Sequence, residues 1–144
     1  MSTTNIDSKA QWYGQILLRV SLGGILWSHG ILKTLSFPGT LEFFASLGLP
    51  PVIAYIVIAL EIVGGALLIV GVETRWAALI VLPGLLGAVW AHSGNGWLFS
   101  SIGGGWEYPA LLALLAVVQV LVGNGSFPIP AKLKLSWHSQ ETAA

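Results

Sequence analysis

Hydrophobic and polar positions fall in long blocks along this chain rather than alternating residue by residue. Four blocks are almost wholly apolar: 15–35, 52–71, 76–92 and 107–122. A helix that crosses a bilayer needs about 17–25 mostly apolar residues, so each block predicts one span, the fourth a short one. The cleanest is 52–71, with one charge, Glu61, at its centre. The first block carries Arg19 near its start and His29 and Lys33 near its end. The long stems of Arg and Lys reach the interfaces, which lets that helix span. Pro83 inside the third block is tolerated where neighbouring helices re-satisfy the freed carbonyl. Pro109 suits the first turn of the fourth, and Gly123-Asn124-Gly125 suits its end.

Between the first two spans, prolines and glycines bracket roughly two helical turns around Phe43 and Phe44, too short to cross. This segment predicts a short interfacial helix. The connection at 72–74 is a tight turn, and that at 93–105 is Gly-rich and uncharged. No Lys-Ser/Thr follows Gly103-Gly104-Gly105, so the run reads as a flexible turn and not as a phosphate cradle. The predicted fold class is all-α: an integral membrane four-helix bundle with a short interfacial helix between spans 1 and 2. Residues 1–14 form a cytoplasmic segment, 15–125 the membrane domain and 126–144 a cytoplasmic tail. Arg19, His29 and Lys33 interrupt the first block and no small-residue cleavage site follows, which disfavours a cleaved signal peptide.

Composition sharpens this picture. The chain is 55% hydrophobic and 8% charged, against about 25% charged in soluble domains. Six basic and six acidic residues cancel, leaving no electrostatic footprint for nucleic acid. With no Cys, disulfides, thiolate nucleophiles and Cys-ligated clusters are excluded. A redox role therefore needs a bound cofactor, a quinone or a partner protein. Lys9, Arg19, Arg75, Lys132 and Lys134 lie on one side of the predicted membrane, and only Lys33 lies on the other. That asymmetry predicts both termini in the cytoplasm and a multi-pass protein of the bacterial plasma (inner) membrane.

In this orientation the titratable groups converge on the outer half: Glu61 near the midplane, His29 and Lys33 one turn apart on one face, and His92, Glu107 and Glu42 near the outer ends. An ionisable group in the hydrocarbon costs about 2.5–3.5 kcal/mol on insertion scales, and such groups usually face the bundle interior, paired. The expected pairs are Lys33 with Glu42 or Glu107, and His29 or His92 with Glu61. Small residues should mark the inward faces: Gly24 with Ser28, Gly64 with Gly65, and Gly84 with Ala88, Ala91 and His92. Arg19 reads as an inner-leaflet anchor. Most aromatics, among them Trp97, Phe99, Trp106 and Tyr108, also fall in the outer half. They form either an interfacial belt or the walls of a site for a planar ring such as a quinone. His29, His92, Glu61 and Glu107 could ligate a metal by composition, but no i, i+3 or i, i+4 pair stands on one helix, so none is expected. Trp27-Ser28-His29 and Trp90-Ala91-His92 form one weak echo between the halves.

The run from Arg19 through His29-Gly30 to Lys33, the segment Phe43-Phe44-Ala45-Ser46-Leu47-Gly48-Leu49-Pro50, and Glu61 followed by Gly64-Gly65 resemble the DoxX family. Asn95-Gly96-Trp97 and Gly104-Gly105-Trp106-Glu107-Tyr108-Pro109 extend the resemblance across about residues 15–128. It implies a small four-helix bacterial inner-membrane protein, an oxidoreductase or quinone-linked subunit. Its relatives are linked with thiosulfate oxidation by quinone or with oxidative-stress and detoxification assemblies. The family's His, Lys and Glu positions map onto His29, Lys33, Glu61 and Glu107. The leading expectation is thus a subunit holding a quinone or small molecule in an outer-half cavity. Glu61 and His92 are the proton-handling catalytic candidates, and His29, Lys33, Glu107, Trp106 and Tyr108 the ligand-binding ones. No intrinsic cofactor is evident. The expected partners are the lipid bilayer, a soluble or membrane redox protein and a second copy of the chain. A non-catalytic scaffold for oxidative-stress or detoxification enzymes and a small permease are the rival readings.

Overall fold

A computed structural model describes residues 3–123, with side chains from Lys9 onward. These residues form α1 (Thr3–Leu35), α2 (Phe37–Ser46), α3 (Pro51–Val70), α4 (Thr74–His92) and α5 (Glu107–Val122), with a 3₁₀ turn at Ser93–Asn95. Among them no strand occurs. The fold is an all-α membrane bundle of four main helices, with the short α2 joining α1 to α3. The expected tail at 126–144 lies outside the described residues. α1 begins at Thr3 rather than near residue 15. Residues with good helix propensity outside the apolar block, such as Lys9, Ala10 and Gln11, carry the helix beyond it; apolarity marks where hydrocarbon begins, not where a helix does.

α1, α3 and α4 are long and apolar enough to cross a membrane. α5 has 16 residues and rises about 24 Å, less than a hydrocarbon core of about 30 Å. Only 22% of the apolar window of α3 is buried inside the bundle. Leu17, Tyr55, Val63, Ile80, Leu86 and Leu121 all point outward. In water so much exposed apolar surface would drive association; in lipid it is the solvated face.

Local chemistry sets the helix ends that matter here. Only Ser36 separates α1 from α2, and Pro38 lies in the first turn of α2. The buried Thr40 hydroxyl donates to the carbonyl of Lys33 at 3.0 Å, or to that of Ser36 at 3.2 Å. It thus satisfies the Lys33 carbonyl, which the end of α1 leaves bare, while the Ser36 carbonyl also accepts from the Thr40 N–H at 3.0 Å. α3 starts at Pro51, where the missing N–H costs nothing.

Helix packing depends on small residues, though partly not the expected ones. A Cβ on Gly23 of α1 would lie 2.7 Å from the carbonyl oxygen of Gly65 in α3, and a Cβ on Gly65 equally close to that of Gly23. The two backbones therefore touch. Gly30 faces Ile62 in the same way, and Gly64 seats Val81 of α4. Gly24 and Gly84, both expected on close seams, have open space around them, because periodicity gives a helix's face but not its rotation. Leu22, Leu26, Leu68, Val81, Leu85, Leu112 and Ala116 fill the core between the helices.

Arg19 also departs from expectation. It is fully buried, not an anchor at the lipid surface. Its guanidinium occupies the space a side chain at Gly71 would need. On the same end of the bundle, Gln119 donates to Thr74 and to the carbonyl of Gly123 at 3.1 and 2.9 Å, tying α4 to the end of α5.

Candidate functional site

At the α2 end the helices diverge around a cleft of about 770 Å³. Every main element contributes: His29 and Lys33 from α1, Phe43 and Phe44 from α2, Glu61 from α3, His92 from α4, and Tyr108 from α5. His29 and Lys33 share a wall because residues four apart on a helix are neighbours. The two Trp-x-His stretches behave alike. Each histidine lines the cleft, while Trp27 and Trp90 are exposed on the outside, as two residues spaced i, i+2 on a helix must be. The aromatics thus divide between the two expected roles: the indoles of Trp27 and Trp90 face outward, whereas Phe43, Phe44, Phe99 and Tyr108 wall the cleft.

The ion pair here is Lys33 with Glu61: the Lys33 ammonium donates to Glu61 Oε1. This replaces the expected pairing of Lys33 with Glu42 or Glu107 and of Glu61 with a histidine. Glu42 lies exposed on α2. The Gly23–Gly65 and Gly30–Ile62 contacts hold α1 and α3 close enough for the two side chains to meet without leaving the bundle. The second oxygen, Glu61 Oε2, is buried and has no hydrogen-bond partner among the described residues. One carboxylate oxygen is neutralised, and the other is left wanting a donor.

His92 is held in a defined tautomer. Its Nδ1 lies 2.9 Å from the carbonyl oxygen of Ala88, and a carbonyl can only accept, so Nδ1 carries the hydrogen. In the neutral ring Nε2 then presents its lone pair. The ring of Phe43 stands 5.8 Å away. Across the cleft the His29 ring lies 5.9 Å from that of Tyr108.

The Gly-rich connection is pinned, not a free turn. The Asn95 side-chain amide donates to the carbonyls of Gly103 and Gly104, both at 3.0 Å. Gly103 and Gly104 have φ of 83° and 78°, a left-handed conformation that a β-carbon disfavours. A Cβ on Gly104 would lie 3.5 Å from the His92 ring, so this glycine lies directly beside the imidazole. The loop closes through Trp106 N–H to Gly96 O at 3.2 Å and Glu107 N–H to Trp97 O at 3.1 Å.

Two expected ligand-binding residues do not line the cleft. Glu107 accepts from the Phe99 N–H at 2.8 Å, and Trp106 packs edge-on against Trp97 with ring centroids 4.4 Å apart. Both serve the loop. Conversely Thr40 and Gly104 line the cleft, and neither carries a sequence signal for it. The sequence signal for the loop is an Asn-Gly pair followed by three glycines, which fits a side-chain amide capping left-handed carbonyls. Among the described residues no group of three or more His, Asp and Glu could hold a metal ion.

The model of the DoxX family matches residues 14–94, more than half of the chain. This chain belongs to the DoxX family. A protein of Bacillus subtilis (strain 168) named "Putative oxidoreductase CatD" is 35% identical over 111 residues, covering 77% of this chain and 80% of that relative. No solved structure matches. The DoxX match runs through α1 to α4 and so contains His29, Lys33, Glu61 and His92; Tyr108 of α5 lies beyond it.

Proposed function

We propose that this DoxX-family protein is the membrane subunit of an oxidoreductase, and that a quinone or a planar ring of like chemistry binds in the cleft. The observation that carries the reading is Glu61 Oε2, buried without a partner beside a Lys-neutralised Oε1. Leaving such an oxygen unsatisfied costs about 1–3 kcal/mol, and a hydroxyl of the reduced, quinol form of such a ring is a donor of the right kind. His92 Nε2 offers a complementary acceptor on another helix, and aromatic walls suit a flat apolar ring. The ring, when bound, supplies the two-electron, two-proton interconversion of quinol and quinone. His92 Nε2 and Glu61 Oε2 would hold the two hydroxyls of the reduced ring and would each accept one of its protons, with a soluble or membrane redox protein as the acceptor of the two electrons. Lys33 holds the charge of Glu61 in place before the proton arrives. The name of the Bacillus relative favours redox chemistry over transport. The Lys/Arg asymmetry favours a bacterial plasma membrane with both termini in the cytoplasm, which sets the cleft in the outer half.

A second reading has one observation in its favour. The Lys33–Glu61 pair fastens α1 to α3, as a register-fixing link in a non-catalytic scaffold would. Extraction of the gently purified protein separates the two. Stoichiometric quinone, lost in His92→Gln with membrane insertion unchanged, is the expected result. Protein free of any ring compound in several detergents would leave the scaffold.

A further inference from the structure

Behind the cleft lies a second hollow of about 460 Å³ between the loop and the outward side of α5. Its loop wall is Trp97 and Phe99, and its helix wall runs from Tyr108 through Ala110 and Leu111 to Leu114. Leu111 and Leu114 are spaced i, i+3 and more than half exposed, so the hollow is a groove open to lipid that descends about 9 Å along the helix. Its lone carboxylate, Glu107, has one oxygen committed to the Phe99 N–H. Apart from the Tyr108 hydroxyl and the Trp97 indole N–H the remaining lining is apolar, which suits a hydrocarbon chain better than a charged or sugar-bearing group.

Phe99 and Tyr108 line both the groove and the cleft. They form a shared sill, polar cleft on one side and apolar groove on the other. We infer that the groove is a subsite for a long isoprenoid-type tail on the same molecule whose ring occupies the cleft. This rests on the quinone-type reading of the cleft and narrows it to tailed, membrane-resident rings. The two walls that the hollows share, Phe99 and Tyr108, set the groove directly beside the polar site, which suits a tail carried by the cleft's own occupant better than an unrelated bilayer acyl chain.

The test uses the full chain in nanodiscs under reducing, oxygen-free conditions and two probes, a naphthoquinol bearing a four-isoprene tail and the same ring without it. Affinity is read by quenching of tryptophan fluorescence, per mole fraction of probe in the membrane. The tailed probe should bind at least tenfold more tightly. Leu114→Trp and Ala110→Phe fill the groove and should reduce the tailed probe to the tailless affinity, leaving the tailless probe unchanged. Leu114 faces lipid, so that variant keeps the test available if Ala110→Phe misfolds. Equal binding of the two probes, or a tailed probe indifferent to Leu114→Trp, overturns the tail subsite while the cleft reading stands. Failure of both probes to bind the folded wild type overturns the cleft reading and the subsite with it.

Discussion

At the scale of single residues, the energetic centre of the site is a carboxylate that is only half satisfied. Lys33 and Glu61 are 28% and 15% exposed, dry enough for loss of one partner to leave the other stranded. Lys33→Met and Glu61→Gln should each lose about 1–3 kcal/mol of stability. The double variant should lose clearly less than their sum, with a coupling of about 0.5–3 kcal/mol. Chemical unfolding in mild detergent measures this cycle, and additive losses would show that the pair contributes no mutual stabilisation. The presence of intramembrane charge at Lys33 and Glu61 was legible in the sequence, because a charge inside an apolar block stands out. Their pairing was not. Block position fixes depth along the bundle, whereas the partner depends on azimuth around each helix, which a short amphipathic pattern leaves open. Glu107 shows the same gap: its depth was readable, but its oxygen turns to the Phe99 N–H and not to the cleft.

At the scale of helices, close approach is decided by a few missing methyl groups. Gly65→Ala would drive a Cβ into the Gly23 carbonyl and the Trp27 backbone, each 2.7 Å away. Overpacking of this kind costs about 1–3 kcal/mol. Gly24→Ala, one residue along on α1, meets nothing within 4 Å. It should be neutral or stabilise by up to about 1 kcal/mol through helix propensity. Thermal unfolding of the two variants side by side gives the comparison, and similar behaviour would contradict a backbone contact at Gly65. The helices themselves were legible from block length and flanking prolines, including the two-turn α2. The start of α1 was not, since its first turns are polar and carry no membrane signal. Nor was the order in the 93–105 loop, where glycine reads as freedom until Asn95 is seen to fix it.

For the whole molecule, outward-facing Leu, Val and Trp side chains leave lipid as the solvent of the bundle's sides, and the sidedness proposed above can be measured directly. The chain has no Cys, so single cysteines report without background. A cysteine replacing Glu73, in the turn between α3 and α4, should be shielded from an impermeant maleimide added to intact cells. One replacing Ser101, in the opposite loop, should be labelled. The reverse pattern would invert the topology and move the cleft to the cytoplasmic half.

The shortness of α5 has a consequence for the bilayer itself. A helix of 16 residues falls several ångströms short of the hydrocarbon thickness, and such a mismatch is relieved by thinning the adjacent leaflet or by sinking neighbouring apolar groups into it. Trp97, Leu98, Phe99 and Ile102 stand bare at the head of α5, where they make up the missing depth. With that apolar cap in place the headgroup layer need not thin around this corner of the bundle. A greasy molecule diffusing in the plane of the membrane would arrive at the sill of Phe99 and Tyr108 without ever passing into water.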